Sequence, residues 1–416
     1  MKSEFKVQSK PKGFSVPSDW KETELGMIPC DWDVKLLTDL LINYDFQRIP
    51  LSKMQRNNKK GIYPYYGASG IIDYVNEYIF DGEYLLISED GENLKSRNTP
   101  IAFLVSGKFW VNNHSHILKS EDNFTSRFIF YSFQNLDVNP YLTGSVQPKL
   151  SQSQLNKILI LIPSNEDEQK AIAKILSDLD DKIDCNRKIN DTLEELGQTL
   201  FKRWFVDFEF LNEEGKPYKS SGGEMIESEL GLIPKGWRVD NLGNHVKFIK
   251  GKKPLLTSNK KEENYLQQIL MDTFNGSIKV YADKTNTIIV DINDVLMVMD
   301  GASSGRVEIG YKGVLGSTLA KLKTNELLNY YTYFYLKSKE QELNANTTGT
   351  SIPHTDKGRI NNSKIVLASK EIYFHFNKHV TSIINKRILL REEIQSLQQI
   401  RDSLLPKLMS GQIRVK

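Results

Sequence analysis

Residues 166–206 read EDEQKAIAKILSDLDDKIDCNRKINDTLEELGQTLFKRWFV. The stretch has no proline, one glycine (Gly197) and many good helix formers. Apolar side chains recur at Ile172, Ile175, Leu179, Ile183, Ile189, Leu193, Leu196 and Leu200, in steps of three and four broken at Asn186. That spacing predicts one amphipathic helix whose stripe is narrow enough for a coiled-coil seam. Ser164, with Asp167 three residues on, is the expected N-cap. At 1.5 Å per residue the helix spans on the order of 60 Å.

The stretch and its surroundings recur. ETELGMIPCDWDVKLL from Glu22 returns as ESELGLIPKGWRVDNL from Glu227, 205 residues later, in the frame E-x-E-L-G-x-I-P-x-x-W-x-V-x-x-L. Gly144 to Pro148 (GSVQP) meets Gly349 to Pro353 (GTSIP) at the same offset, and the apolar run 158–162 meets 364–367 at nearly the same one. The helical pattern maps onto 371–411, where Ile383, Arg387, Leu390, Ile394, Leu397, Arg401, Leu404 and Leu408 step strictly by four and three. One such match is cheap, but several at one offset define a unit used twice, a globular segment followed by a long helix. The copies agree at their edges and diverge inside, where Leu85 lines up with Leu296 at an offset of 211. A shared scaffold with divergent loops suits two different recognition sites.

The expected organisation is a flexible basic arm (1–19, with Lys2, Lys6, Lys10 and Lys12), a globular segment (20–165), a long helix (166–208), an exposed polar linker (209–226), a second globular segment (227–368) and a second long helix (369–416). Short apolar runs at 84–87, 101–105 and 116–118, and at 287–290, 295–298 and 319–322, read as strands between Gly, Asn and Asp turns. Segments 124–134 and 326–338 read as single helices packed on them, so each globular segment is an α+β domain.

Composition narrows the function. No apolar run approaches the ~20 residues of a membrane span, and the N-terminal MKSEFKVQSKPKGF lacks the apolar core of a signal peptide. A cytoplasmic protein is expected. Cys30 and Cys185 are far apart and have no CxxC partner, so neither a disulfide framework nor a cysteine zinc site is indicated. His114 and His116 alternate on an expected strand, which sends their rings to opposite faces and away from a shared metal. The chain has no Walker lysine loop, nucleophile elbow, HExxH or S-adenosylmethionine fingerprint. Catalysis by this chain alone is not expected.

The loops do carry side chains that suit nucleic acid. The first segment offers Arg56, Lys59, Lys60, Tyr63, Tyr65, Tyr66, Lys95, Arg97, Asn98, Asn112 and Asn113, with Lys149 in the GSVQPKLS turn. The second offers Lys250, Lys252, Lys253, Lys260, Lys261, Ser303, Ser304, Arg306, His354, Lys357 and Arg359. Lysine and arginine neutralise phosphates, while arginine and asparagine can read base edges in pairs of hydrogen bonds. Taken singly, each also fits an ordinary surface charge or core tyrosine. A net charge of +3 neither demands nor excludes DNA.

The paired frames ETELGMIP and ESELGLIPKGW, the GSVQPKLS turn, IPSNEDEQKAIAKILSDLDDKI, LFKRWFVDF and SLLPKLMSGQIRV together resemble the specificity subunit of type I restriction–modification systems, over essentially the whole chain. In the second half, Ile352-Pro353 replaces the usual Gln-Pro and the helix begins EIYFHFNKHV instead of E-Q-x-x-I. The resemblance implies two α+β target-recognition domains joined by two long helices that pair antiparallel, with internal pseudo-twofold symmetry. The helix-pairing residues would be Ile172, Ile175, Leu179, Ile183, Leu193, Leu200, Ile383, Leu390, Ile394, Leu397, Leu404 and Leu408. The implied partners are double-stranded DNA, two methyltransferase subunits and the restriction–translocase subunits, with no membrane. No cofactor is expected on this chain, and S-adenosylmethionine, ATP and Mg belong to the partners. The competing reading is a non-enzymatic coiled-coil adapter with two ligand-binding lobes.

Overall fold

The E-x-E-L-G-x-I-P frame folds twice in the same way. Trp20–Thr23 and Gly26–Pro29 form one tight hairpin, and Met225–Ser228 with Gly231–Pro234 the other. The turn is stapled by a hydroxyl each time: Thr23 donates to the Gly26 carbonyl (2.9 Å), and Ser228 to that of Gly231 (2.6 Å). The frame tryptophans are buried, Trp32 fully and Trp237 nearly so. Strand Trp32–Leu36 then pairs antiparallel with Leu159–Pro163, and Arg238–Asn241 with Lys364–Leu367. The start of each globular segment is thereby tied to its end. These observations come from a computed structural model that describes residues 19–144, 147–276, 280–349 and 351–415. Residues 1–18 of the expected arm, and Ser145, Val146 and Thr350 of the two turns, lie outside them.

The chain divides into two compact units, one running to Lys182 and resuming at Leu397, the other spanning Ile183–Ser396. The first unit holds an antiparallel sheet of four strands in the order Ile42–Asn43, Ser115–Lys119, Tyr84–Ser88, Ala102–Val105. Its second sheet, Gly70–Val75, Lys60–Gly67, Lys108–Val111 and Phe80–Asp81, is mixed because Lys108–Val111 runs parallel to Lys60–Gly67. The second unit repeats both. One sheet orders Lys247–Lys250, Leu319–Lys323, Val295–Val298, Val307–Glu308, and the other again contains one parallel pair, Tyr265–Ile269 with Gly313–Leu315. Helix Asn123–Asn135, capped by Asp122, packs on the first sheet. Its counterpart differs from the single helix expected at 326–338. A 3-10 turn, Glu326–Leu328, capped by Asn325, precedes helix Asn329–Ser338.

Inside the repeat the strands are offset by 210 residues, not the expected 211. Asp90 bridges Lys149 and Asp300 bridges His354, and the Gly91 and Gly301 N–H groups donate to the Pro148 and Pro353 carbonyls. Lys149 and His354 are 205 residues apart, so Asp90 matches Asp300, and Leu85 matches Val295, at 210. The alternative of 211 would turn every strand side chain to the wrong face.

The two long helices are Glu166–Phe205 and Lys370–Met409. The cap of the first is Asn165, whose Oδ1 accepts from the Asp167 N–H at 2.8 Å. Ser164, the expected cap, instead donates to Asp33 (2.7 Å) and fastens the helix start to strand Trp32–Leu36. In the first unit the early turns of this helix meet the late turns of the other. Ile172, Ala173 and Leu176 share a core with Leu408 and Met409, flanked by half-buried Ile175, Leu404 and Leu405. In the second unit the late turns of one meet the early turns of the other, with Phe201, Trp204 and Phe205 packed among Tyr373, Phe376, Val380 and Ile384. The pairing is therefore antiparallel.

Of the other residues in the pairing stripe, Ile183 and Leu390 are buried, while Leu179, Leu193, Leu200, Ile383, Ile394 and Leu397 are half-buried. Ile189 and Leu196 are 40% and 52% exposed. Leu176 and Ile384, which the strict stripe omits, fill the core, because a helix of 3.6 residues per turn drifts away from a 3.5-residue pattern. Asn186 is fully buried, and neither polar atom of its amide has a hydrogen-bond partner among the described residues. An unsatisfied buried amide costs about 1–3 kcal/mol. Asn186→Leu is therefore expected to raise the urea midpoint without loss of helix content, and a lowered midpoint would refute the account.

The polar segment expected as a linker is folded in part onto its own unit. Phe210 is buried and stacks on Trp237 (5.0 Å) and Tyr218 (4.6 Å), and Phe208, which the expected helix 166–208 included, is buried beyond that helix's end at Phe205. Its docking residue, Phe210, is outnumbered by polar neighbours in the sequence, which hid the docking.

Candidate nucleic-acid interface

The most distinctive loop in each unit is a tight turn built identically from different side chains. Thr143 and Lys149 exchange both backbone hydrogen bonds at 2.8 Å, and Thr348 and His354 do so at 2.8 and 2.7 Å. Gly144 (φ +84°) and Gly349 (φ +93°) are left-handed, and a Cβ on either would collide with the carbonyl of Gln147 or Ile352. Glycine is required there twice. The last position of the turn carries Lys149 in one unit and His354 in the other. Lys149 Nζ lies 3.1 Å from Glu89, and His354 Nδ1 lies 2.7 Å from Asp300, which also holds Lys250 at 2.9 Å. Burial pushes the Asp300 carboxyl up, but Lys250 and His354 outweigh it and leave it below the ordinary carboxylate range.

Beneath Lys149 is a buried ionic network that the sequence did not reveal. His116, with no exposed surface, places Nδ1 2.6 Å from Asp45 and Nε2 2.7 Å from the Leu150 carbonyl. Arg48 bridges Glu89 (2.7 Å) and the Ser115 carbonyl (2.9 Å). Burial raises Asp45 and Glu89, but His116, Arg48 and, for Glu89, Lys149 overcome it and hold both below their ordinary values. In the second unit Met299 replaces Glu89 by the bridge register, and no equivalent network forms among the described residues. A depressed carboxylate stabilises the fold above its unfolded value, and that stability is lost as pH falls through the folded value. Protection of the strands around Asp45 and Glu89 is therefore expected to fall as the pH drops below about 4. Hydrogen exchange across an acid titration would check this, and unchanged protection of these strands down to about pH 2 would refute it.

Around the first turn the candidate side chains separate. Helix Lys53–Asn58, opened by a Ser52–Gln55 capping box, presents Arg56. Arg56 donates to Asp73 (3.1 Å) and to the Leu51 carbonyl (2.7 Å). Lys60 meets the same Asp73 and Lys59 meets Glu77, each at 2.5 Å. The Lys60 hydrogen bond, the Tyr74 N–H and Arg56 draw the Asp73 carboxyl down to about 2. Tyr63 is half-buried edge-on to Tyr78 (5.1 Å), and Tyr66 is half-buried against Phe109 (5.8 Å). Tyr65 is fully buried, with its hydroxyl accepting from the Leu51 N–H, so it belongs to the core and not to a DNA-facing surface. Arg97 is likewise committed, donating to the Phe133 and Leu136 carbonyls that close helix Asn123–Asn135. Asn112 is buried and its Oδ1 accepts from the His114 N–H, whereas Lys95, Asn98 and Asn113 are exposed.

In the second unit Lys252, Lys253, Lys260 and Lys261 are exposed and have no carboxylate partner among the described residues. Lys357 lies over the Phe248 ring (5.8 Å). Ser303 is half-buried, while Ser304 is fully buried and its hydroxyl serves the Gly301 and Pro353 carbonyls. Ser304 thus shapes the turn and cannot touch a groove. Arg306 pairs with Glu308 (2.9 Å) and Arg359 with Glu342 (2.9 Å). Sequence reasoning, attending to charge, passed over apolar side chains held out to solvent. Ile62, 79% exposed, sits in a bulge of strand Lys60–Gly67, and Leu255 is 77% exposed. Strand alternation in the IYPYYG run was the available signal for Ile62.

Among the described residues no group of three His, Cys, Asp or Glu could hold a metal ion, and no helix is long and apolar enough to cross a membrane. The arrangement offers charge and hydrogen bonds on two equivalent loops.

Two copies of one family model, the type I restriction modification DNA specificity domain, match residues 29–195 and 234–400. The chain belongs to this family of non-catalytic specificity subunits, and the matched spans are themselves 205 residues apart. It is 27% identical to the MjaIX specificity subunit of Methanocaldococcus jannaschii, across 97% of this chain and 98% of that protein. With the HindI specificity subunit of Haemophilus influenzae it shares 24% identity, covering 95% and 100% of the two. The crystal structure of an S subunit from M. genitalium superposes with a TM-score of 0.60 at 16% identity, covering 91% of this chain and 96% of that one.

Proposed function

We propose that this chain reads a split, asymmetric DNA site and carries partner subunits to it. Residues 20–165 and 227–368 act as two target-recognition domains, each engaging one half-site in the major groove. The helical segments 166–208 and 369–416 set the distance between half-sites and present docking surfaces for two adenine methyltransferase subunits and for the restriction subunits. Those partners bring S-adenosylmethionine, ATP and Mg, and the methyltransferase flips its target base out of the duplex. The observation that carries this reading is the twice-built turn bearing Lys149 in one copy and His354 in the other. One scaffold displaying different side chains suits two different half-sites. A helix of on the order of 60 Å exceeds one turn of B-DNA, roughly 34–36 Å, which leaves room for unread bases between them.

Long-read sequencing of methyladenine, in cells expressing the chain with its methyltransferase, is expected to return a two-part motif with dissimilar halves. A palindromic or uninterrupted motif would count against the reading. Inserting four residues between Ile172 and Leu200 is expected to change the spacer and leave both halves intact. An unchanged spacer would remove the helices from the measuring role.

A further inference from the structure

The two recognition domains differ in where their positive charge goes. Residues 20–165 contain 14 Lys and Arg against 16 Asp and Glu, whereas 227–368 contain 19 against 15. The bonding pattern sharpens that imbalance. In the first domain Arg56 and Lys60 converge on Asp73, Lys59 is held by Glu77 and Lys149 by Glu89. Of its candidate cations only Lys95 is left without a carboxylate or carbonyl partner among the described residues. In the second domain Lys250, Arg306 and Arg359 are likewise held by carboxylates, but Lys252, Lys253, Lys260 and Lys261 stand exposed without carboxylate partners among the described residues, although Glu262 and Glu263 follow them in the chain.

A lysine already bound to a carboxylate must lose that partner before it can neutralise a phosphate, so it displaces few counterions from DNA. A free lysine displaces about one, and each such contact adds about 0.9 to the slope of log K against log salt. With its cations held, the first domain is left with apolar side chains to offer: the bulge at Ile62 and the adjoining edge strand Gly70–Val75 hold Ile62, Ile72 and Tyr74 out to solvent, 79%, 51% and 49% exposed, where the second domain adds exposed Leu255 to its free lysines. Apolar side chains in the major groove contact thymine methyl groups, an interaction that salt does not screen.

We propose that the two domains divide DNA binding unequally, the second supplying the phosphate-neutralising charge and the first holding its half-site with little net charge. This division rests on the DNA-reading function proposed above. Its consequence is that affinity at the second half-site falls steeply with salt while discrimination at the first persists.

The test compares matched pairs in the full chain with its methyltransferase, on a fluorescent duplex carrying the methylated motif. Fluorescence anisotropy is read from about 50 to 200 mM salt, a range over which phosphate contacts reveal themselves. K252Q/K253Q is expected to reduce the salt slope by roughly 2, and K59Q/K60Q by less than roughly 0.5. Equal reductions, or a larger one for K59Q/K60Q, overturn the division while leaving DNA reading intact. A wild-type complex that binds no duplex at any salt overturns the DNA-reading function, and this inference with it. K260Q/K261Q serves as the second pair should K252Q/K253Q lose its folded circular dichroism spectrum, and an unchanged slope there also overturns the division.

Discussion

Replacing Arg387 with alanine is expected to remove about 3–5 kcal/mol from the second unit, the cost of stranding one member of a buried ion pair. Arg387 is 8% exposed, pairs with Glu194 and donates to the Tyr333 hydroxyl (3.0 Å), which itself donates to Glu194 (2.7 Å). Three groups on three helices are therefore closed into one triangle. Truncation leaves Glu194 facing a cavity without its cation. The partner control is Arg387→Met with Glu194→Leu, which removes both charges at similar volume and is expected to recover most of the loss. Urea denaturation followed by the fluorescence of Trp204 and Trp237, both in this unit, reads the difference. A loss under about 1 kcal/mol for the single variant would mean that water reaches the carboxylate and the triangle is not closed.

The second large effect is expected at Phe376→Ala, at about 3–5 kcal/mol. Phe376 is fully buried and touches four rings, Phe205 at 4.9 Å, Trp204 at 5.9 Å, Phe334 at 6.0 Å and Phe201 at 6.4 Å between centroids. Neighbouring helix turns come close enough for this because Gly197 stands against Phe334, where a Cβ would lie 2.5 Å from the ring. Gly197 gives up about 1 kcal/mol of helix propensity for that approach. The same denaturation experiment on Phe376→Leu, which keeps much of the volume, is expected to show a smaller loss. Equal losses for both variants would point to ring stacking, and not cavity formation, as the main term.

The same aromatic cluster accounts for the departure of the second helix from the E-Q-x-x-I opening of the first, at Tyr373. In the first unit Glu168, 4% exposed on its side chain, accepts from Trp32 Nε1 (3.3 Å) and from Arg414 (2.7 Å), while Arg414 also grips Asp31 (2.6 Å). The matching position in the second helix is Tyr373, which stacks on Phe205 at 5.6 Å beside Phe376. Phe205 in turn lies against Trp237 (5.9 Å), so the joint to the tryptophan frame is ionic in one unit and runs through stacked rings in the other. The repeat and the long helices were legible because period and offset survive in one dimension. So were the strand-rich lobes, whose short apolar runs fall between turn residues.

What could not be read is what depends on partners brought from afar. Arg97 and Tyr65 looked like groove-facing side chains, yet one closes a helix and the other fills the core. Asp73 gave no sign that it would occupy two of the candidate cations. A charge in a loop reveals its type and nothing about whether a carboxylate already holds it.

The division of the chain into a discontinuous first unit and a continuous second one bears on the order of events on the ribosome. Domains usually fold in the order in which they emerge. Here the segment from Leu397 must arrive before the first unit has its full core, since Leu408 and Met409 pack with Ile172 and Leu176. Residues Ile183 to Ser396 are made in between, on the order of tens of seconds at ~5–20 residues per second. The lobe translated first is therefore completed last, and until then its half of the central helix shows an uncovered apolar stripe to the chaperones of the cell.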